Sequence, residues 1–362
     1  MIVMNLKLDG IYGFNDFEIN FSYPKKVVHS IIEDEYLEGR QRFRYKKIVV
    51  LMGANASGKT AIGKSLLKIF DFINTGNSNC LFEMLSDDKG FFEIDFVNNG
   101  YRLHRLKCHT DKAKSSYSAE YFSCEIDKMD SYEMCVDKLV DYTDVYSEDN
   151  KIMGQIAYRF AYPEIESSIK LNDIDRKLFG KTLRAILKTL DPTLLEICES
   201  KDLKDTYIVR RNRQEIIIQD GKLLNKDILS SGTAEGIDVA IFLASMMSKK
   251  KTFYYCDEHF SYIQSDIEKR IFGLMLDRVS NNEQLIFTTH NTDMLDLNLP
   301  KHSFMFLKKG SKDENYKVSA LSASDILKRN TDSVRCAYEN DMFDCLPDET
   351  VLDELELGWH HE

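Results

Sequence analysis

Short apolar runs alternate with longer periodic segments along this chain. Residues 47–51 form an apolar, β-branched run that predicts a buried strand. From Ala61 to Ile73, apolar residues recur at helical spacing, so a helix is predicted to follow that strand. The runs 251–257 and 284–288 are also of the buried-strand type, and the segment between them is helix-like. This alternation predicts an α/β fold.

Two hairpins are predicted from residues that alternate between apolar and polar. Residues 91–97 and 101–106 alternate on either side of the turn formed by Asn98-Asn99-Gly100. Such a turn between two alternating runs is a strong hairpin signal. Residues 207–209 and 215–218 flank a second turn and predict a hairpin there.

The segments between these hairpins have weaker patterns. Residues 110–150 are polar and acidic with little periodicity, and they predict a variable subdomain or an exposed arm. Residues 165–198 repeat apolar positions at helical spacing and predict a helical segment. No heptad repeat is sustained for long, so a long coiled coil is not expected.

Composition indicates an ordinary globular protein with a large core. The chain has 362 residues, of which 43% are hydrophobic and 30% charged. No apolar run reaches the length of a membrane span, and the N-terminus has no signal-peptide pattern. The eight cysteines include no C-x-x-C pair, so neither a zinc site nor a disulfide framework is expected. Together these features predict a cytoplasmic protein with reduced thiols and no membrane partner.

Charge is informative about nucleic acid. A net charge of −11 argues against a surface that binds nucleic acid as a whole, although it leaves local basic patches open. Residues 40–47 interleave cations with aromatics, a pattern that suits nucleic acid, and three arginines cluster at the second predicted hairpin. Given the total charge, we favour a solvated face and a strand edge protected by charge.

One segment fits the phosphate loop of nucleotide-binding proteins, G-x-x-x-x-G-K-[ST]. Its residues are Gly53, Ala54, Asn55, Ala56, Ser57, Gly58, Lys59 and Thr60. Glycines let successive backbone amides converge on phosphate oxygens. The Lys59 ammonium suits the β- and γ-phosphates of ATP, and the Thr60 hydroxyl suits Mg²⁺. The predicted strand before the loop and the predicted helix after it support a phosphate site over a simple glycine turn.

Two predicted strands end in residues that suit phosphate chemistry. The first ends in Asp257 and Glu258, which would hold Mg²⁺ and polarise the attacking water, respectively. The second is followed by His290, about thirty residues later. The carboxyl ends of parallel strands gather at one edge of a sheet, where His290 would reach the γ-phosphate. Acidic pairs and single histidines also occur at solvated strand ends. The assignment of Asp257, Glu258 and His290 to a phosphate site therefore depends on their order after the phosphate loop.

A further segment, residues 228–236, precedes a predicted helix. Ser230 there is consistent with a serine that caps a helix start. Ser230 and Gly232 also suit a helix N-terminus that faces the γ-phosphate of a nucleotide on another subunit.

The order of these motifs resembles the ABC-type ATPase head of RecF and SMC proteins. The chain is more closely similar to the bacterial "AAA family ATPase" group of abortive-infection and overcoming-lysogenization-defect-like proteins. Residues 4–8 and 13–21 resemble that group's opening hairpin, and residues 332–343 resemble the tail of its abortive-infection subgroup. The signature departs from L-S-G-G-Q, because it runs Leu-Ser-Ser-Gly-Thr from residue 229. The D-loop aspartate is missing after Glu258, and Gln155 is a candidate for the Q-loop glutamine.

The resemblance implies a P-loop NTPase of ABC type with a mixed core sheet, an N-terminal antiparallel β-subdomain and an inserted helical subdomain. We expect an N-lobe with the phosphate loop (1–75), an inserted β-hairpin and helical arm (76–205), a C-lobe with the signature, acidic pair and histidine (206–310), and a tail subdomain (311–362). The cofactors would be ATP and Mg²⁺, with Thr60 and Asp257 at the metal.

The resemblance also implies a function in phage defence. Two or more copies would sandwich ATP, with Ser230 and Gly232 of one copy closing the site of another. The assembly would regulate a separately encoded effector, such as a nuclease or toxin. The alternatives are a non-catalytic, ATP-locked scaffold that cages a toxin and a RecF-like DNA repair ATPase.

Overall fold

The computed structural model describes residues 1–347 except 27–29, 99, 149–152, 163–168, 170, 172–173, 201, 213, 225–228, 248–251, 311–316 and 330. The strands are β1 (Ile2–Asp9), β2 (Phe17–Asn20), β3 (Tyr36–Leu37), β4 (Arg40–Arg44), β5 (Ile48–Gly53), β6 (Lys89–Val97), β7 (Arg102–Asp111), β8 (Ser116–Glu125), β9 (Val140–Asp141), β10 (Tyr158–Ala161), β11 (Glu196–Glu199), β12 (Thr206–Arg211), β13 (Gln214–Gln219), β14 (Lys222–Leu223), β15 (Phe253–Asp257), β16 (Gln284–Thr288), β17 (Phe304–Lys309) and β18 (Val318–Ser322).

Helices lie between many of these strands and also follow the last of them. They are α1 (Lys59–Thr75), α2 (Asn79–Phe82), α3 (Tyr132–Asp137), α4 (Thr143–Glu148), α5 (Arg176–Leu190), α6 (Ser231–Met246), α7 (Ser265–Leu276), α8 (Ala323–Ile326) and α9 (Val334–Glu339), with 3₁₀ turns at Thr292–Asp296 and Lys301–Ser303. In the part of the chain that is described, no helix combines the length and apolar character needed to cross a bilayer.

The core sheet has the strand order β10-β15-β16-β5-β17-β18. Its first five strands are parallel, and β18 pairs antiparallel with β17. Every residue of β5 is buried, because helices or a second sheet cover both faces. Val49 and Leu51 pack in one apolar cluster with α1, whereas Val50 and Met52 pack in another with α5, α6 and α7. The predicted buried strands and the helix after β5 are thus confirmed, and the fold is α/β with a mixed core sheet.

An antiparallel sheet lies against the α1 side of the core and has the order β2-β1-β6-β7-β8-β9. The predicted β6–β7 hairpin is confirmed, and so is the opening β1–β2 hairpin. The expectation of an aperiodic arm over 110–150 is wrong for β8, which pairs with β7 over ten positions. Its outer half is exposed and polar, so backbone pairing rather than an apolar pattern forms this strand.

The middle of the chain contains both a helix and a small sheet. In the predicted helical segment 165–198, α5 is helical, residues 165–168, 170 and 172–173 lie outside the described residues, and the end forms strand β11. The change occurs at Asp191, because Pro192 disfavours a helical conformation in the residue before it. β11 continues into an antiparallel sheet, β11-β12-β13-β14, whose β12–β13 pair is the second predicted hairpin.

The four-part division of the chain stays a proposal. Strands β1 and β6 pair with each other, so the antiparallel sheet takes residues from both sides of the proposed boundary at residue 75. Within the proposed tail, residues 311–316, 330 and 348–362 lie outside the described part of the chain.

Candidate functional site

The phosphate loop connects the carboxyl end of β5 to the amino end of α1. Gly58 is the N-cap residue of α1 and has a φ of 102°, a conformation that favours glycine. A Cβ on Gly58 would also lie 2.7 Å from a Phe14 ring carbon. The first-turn amides of α1 have no intrahelical acceptor, so this end of the helix is suited to an anion.

Lys59 is held inside the loop that precedes it. Its side chain is 3% exposed, and Nζ donates to the carbonyls of Gly53 at 2.8 Å and Ala54 at 3.2 Å. Nζ also lies 3.2 Å from Glu258 Oε1. Burial lowers the pKa of Lys59, and the negative charge of Glu258 opposes that effect. The Tyr255 hydroxyl, on β15, donates to the Lys59 carbonyl at 2.6 Å. This hydrogen bond fixes the start of α1 against β15.

Asp257 is connected to both the phosphate loop and the next strand. Thr60 Oγ1 donates to Asp257 Oδ2 at 2.6 Å, and Thr288 Oγ1 donates to Asp257 Oδ1 at 2.8 Å. Burial raises the pKa of Asp257, whereas the two threonine hydrogen bonds lower it. A hydroxyl and a carboxylate oxygen therefore lie side by side, as the sequence predicts for a metal site.

Glu258 lies between Lys59 and His290. Its Oε1 atom is 2.8 Å from His290 Nε2 and 3.2 Å from Lys59 Nζ. Burial would raise the pKa of Glu258, but the hydrogen bond from His290 and the charge of Lys59 outweigh it and hold the pKa below its usual value. Glu258 also has a φ of 43°, which is uncommon for a residue other than glycine. Its amide donates to the Thr288 carbonyl and hydroxyl at 3.2 and 3.0 Å, and these bonds hold that conformation.

The side chains present fit a nucleotide and Mg²⁺. Ser57 Oγ in the loop is buried and has no hydrogen-bond partner within the described residues, so it is available to a phosphate oxygen. Thr60 and Asp257 offer the oxygen ligands that Mg²⁺ prefers. Among the described residues, no group of three or more His, Cys, Asp or Glu side chains could hold a metal ion. A metal here would therefore complete its shell with phosphate and water, which is usual for Mg²⁺.

The signature residues lie apart from these groups and contact the segment after Glu258. Ser230 is the N-cap of α6, and its Oγ accepts from the Thr233 amide at 3.3 Å. A Cβ on Gly232 would lie 2.5 Å from the Tyr262 carbonyl oxygen. Glu235, one turn into α6, accepts from the amides of Ser261 and Tyr262 at 3.3 and 3.1 Å. Within the described residues, no hydrogen bond or ion pair joins Ser230 or Gly232 to the phosphate loop.

The sequence analysis did not identify several residues that contact the predicted site residues or the segment after Glu258. Thr288 lies two residues before His290, at the end of β16, and could have been suspected from that position. Tyr255 and Glu235 carry no such signal, because one lies in an apolar run and the other in a helix. The assignment of Gln155 as the Q-loop glutamine is wrong. Gln155 precedes β10 and so lies at the amino ends of the parallel strands, whereas the phosphate loop is at their carboxyl ends.

Close packing beneath α1 leads to a stability prediction. A Cβ on Gly63 would lie 2.5 Å from a Tyr255 ring carbon and 2.8 Å from the Tyr162 hydroxyl. We expect Gly63→Ala to lower the free energy of unfolding by about 1–3 kcal/mol in urea titrations. Gly273→Ala is the matched control, because a Cβ there, also in a helix, meets nothing within 4 Å. That change should stabilise by about 0.5–1 kcal/mol. Equal effects of the two substitutions would contradict the packing argument.

Comparison with known proteins identifies the fold. No protein-family model and no curated protein matches the chain. A crystal structure of an SMC head bound to the C-winged-helix domain of ScpA is 14% identical and has a TM-score of 0.53, covering 90% of this chain and 100% of the other. An SMC head with an extended coiled coil, bound to the C-terminal domain of ScpA from Pyrococcus furiosus, is 11% identical with a TM-score of 0.52, covering 98% and 99%. The chain thus has the ABC-type P-loop ATPase fold of SMC heads.

Proposed function

We propose that this protein binds ATP with Mg²⁺ and hydrolyses it between two copies arranged head to tail. The observation that carries the proposal is the meeting of three separate segments at the carboxyl ends of β5, β15 and β16. They bring Thr60 within hydrogen-bond distance of Asp257, and both Lys59 and His290 within ion-pair distance of Glu258. This is the set of groups that phosphoryl transfer to water requires.

The contacts suggest what each side chain does. Lys59 Nζ is available to phosphate oxygens, which compete with the loop carbonyls and Glu258 for its protons. Glu258 is a carboxylate at neutral pH, because its pKa is lowered, and it can accept the proton of the attacking water. His290 donates to Glu258 and is 41% exposed, so it orients the carboxylate and can reach the γ-phosphate. A bound Mg²⁺ would neutralise phosphate charge beside Thr60 and Asp257.

A second copy would supply the donors on the side of the site opposite the phosphate loop. Ser230 is exposed, and the first turn of its helix presents amides without an intrahelical acceptor and a partial positive charge. We therefore assign Ser230 and Gly232 of one copy to the γ-phosphate bound by the other. One copy then holds only half of each composite site, and assembly follows ATP binding.

We infer from the abortive-infection resemblance that this assembly regulates a separately encoded effector, such as a nuclease or toxin, in anti-phage defence. The test is to express the chain in bacteria with and without the adjacent reading frame and to challenge them with phage. Protection should need both genes, and Lys59→Ala should remove it. Protection by the wild-type and Lys59→Ala chains alike would contradict ATP-gated regulation.

A non-catalytic scaffold, locked by ATP around a toxin, is the second candidate. The segment after Glu258 favours this candidate. The D-loop aspartate is missing there, and Tyr262 in the same segment is 72% exposed. Turnover by the wild type that Glu258→Gln abolishes would exclude it, whereas ATP-dependent assembly without turnover would favour it.

Substitution of Ser230 tests the composite site. Ser230→Arg should leave folding and ATP binding intact while preventing the sandwiched contact, so hydrolysis should fall by about 100-fold. Arginine at Ser118, an exposed serine on β8, is the control and should have no effect. Gly232 is a poorer target, because any side chain there would strike the Tyr262 carbonyl and disturb the fold itself.

Mixing Ser230→Arg with Lys59→Ala sharpens this test. In a mixed dimer one composite site carries both defects and the other carries neither, so part of the activity should return. Hydrolysis and sedimentation are measured on the same mixtures. If mixed dimers form and activity stays absent, the composite-site model is wrong.

A further inference from the structure

The Tyr162 hydroxyl is a buried polar group that has no partner within the described residues. Tyr162 is 3% exposed, and no hydrogen bond satisfies its oxygen. Leaving a hydroxyl unsatisfied in a protein interior costs stability, so such a group calls for an explanation. The neighbouring tyrosine of the same cluster, Tyr255, differs because its hydroxyl donates to the Lys59 carbonyl.

Tyr162 lies beside the groups assigned to the metal. It directly follows β10, whose last residue, Ala161, pairs with Cys256, so Tyr162 is level with Asp257 on the adjacent parallel strand. Its hydroxyl also faces the first turns of α1, since a Cβ on Gly63 would lie 2.8 Å from it. Gly63 is three residues after Thr60, which in a helix places both on the same side. The hydroxyl therefore lies on the side of α1 that carries Thr60, and Tyr162 lies level with Asp257 in the sheet.

The ring is fixed and the hydroxyl stays protonated. Tyr162 stacks on Phe160 with centroids 6.0 Å apart and contacts the Tyr255 ring at 6.3 Å. Burial, together with the charge of Asp257, raises the pKa of Tyr162 well above its usual value. A rigid, neutral hydroxyl is thus available as a donor.

Thr60 and Asp257 supply few ligands, so water would complete the shell of a metal bound there. Groups that hydrogen-bond the ligands of a metal fix their orientation and contribute to affinity. We propose that Tyr162 is a positioning residue of the magnesium site, and that its hydroxyl hydrogen-bonds a water in the hydration shell of Mg²⁺ held by Thr60 and Asp257. This inference rests on the proposed ATP function and adds a residue that no phosphate-loop motif includes.

The test compares Tyr162→Phe with Tyr45→Phe. Tyr45 is also fully buried with a hydroxyl that lacks a partner in the described residues, but it precedes β5 at the opposite end of the sheet. Without nucleotide, both variants should melt at or above the wild-type temperature, because each loses an unsatisfied polar group. ATP affinity in EDTA should be unchanged in both.

The variants should differ once Mg²⁺ is added. At fixed ATP, the Mg²⁺ concentration that gives half of the maximal thermal stabilisation should rise about tenfold in Tyr162→Phe and stay at the wild-type value in Tyr45→Phe. A wild-type Mg²⁺ dependence in Tyr162→Phe would overturn the assignment while leaving the ATP site intact. If the wild type itself shows no Mg²⁺-dependent ATP binding, the proposed function fails first, and the assignment fails with it.

Discussion

Lys59→Ala is expected to weaken ATP binding at least about 100-fold, because the phosphates lose the only cation that the loop supplies. The ammonium is 3% exposed and already fixed by two loop carbonyls, so little ordering opposes its contact with phosphate. The measurement is an ATP titration by calorimetry, with hydrolysis followed in parallel. Wild-type affinity in this variant would refute the phosphate-loop assignment.

Two controls separate a binding effect from a folding effect. Lys64→Ala removes a partly buried cation from the next turn of the same helix and should leave ATP affinity unchanged. Because Lys59 Nζ also bonds the carbonyls of Gly53 and Ala54, urea unfolding of Lys59→Ala must be measured as well. If Lys59→Ala unfolds at a lower urea concentration than the wild type but keeps full affinity for ATP, Lys59 stabilises the loop and does not bind phosphate.

Glu258→Gln should slow hydrolysis by about 10²–10⁴-fold while ATP still binds. The amide keeps the size of the side chain and can still accept from His290, but it cannot take a proton from water. Assembly should strengthen with ATP, because the closed state is no longer consumed by hydrolysis. Sedimentation with ATP and a turnover assay measure the two effects, and an unchanged turnover rate would show that another group activates water.

The neighbouring acid provides the contrast. Asp257→Asn should raise the Mg²⁺ concentration needed for tight ATP binding, because Asp257 and Thr60 form the proposed metal position. Glu258→Gln should leave that concentration unchanged. Equal Mg²⁺ dependence in the two variants would contradict the separate roles of the two acids.

The elements that carry the site were predictable because their signals are local. The β5 run, the phosphate loop and the strand-end residues Asp257, Glu258 and His290 follow from apolar pattern and motif order. Strand β8 was missed because its outer half is polar and shows no apolar pattern, although it forms a hairpin with the preceding strand β7. Tyr162 and Glu235 were missed for a related reason. Their significance comes from contacts across the fold, which no local pattern records.

The hydrogen bonds that Glu235 accepts from Ser261 and Tyr262 have a consequence for kinetics. They join α6 to the segment that follows Glu258. In a head-to-tail dimer, Glu258 would belong to one nucleotide site and the start of α6 to the other. In the proposed dimer, a shift of that segment on ATP binding would displace the donor helix at the second nucleotide. Two such sites respond to ATP together, so the rate should rise sigmoidally with ATP concentration, with a Hill coefficient approaching about 2. Glu235→Ala should then return the curve to a hyperbola.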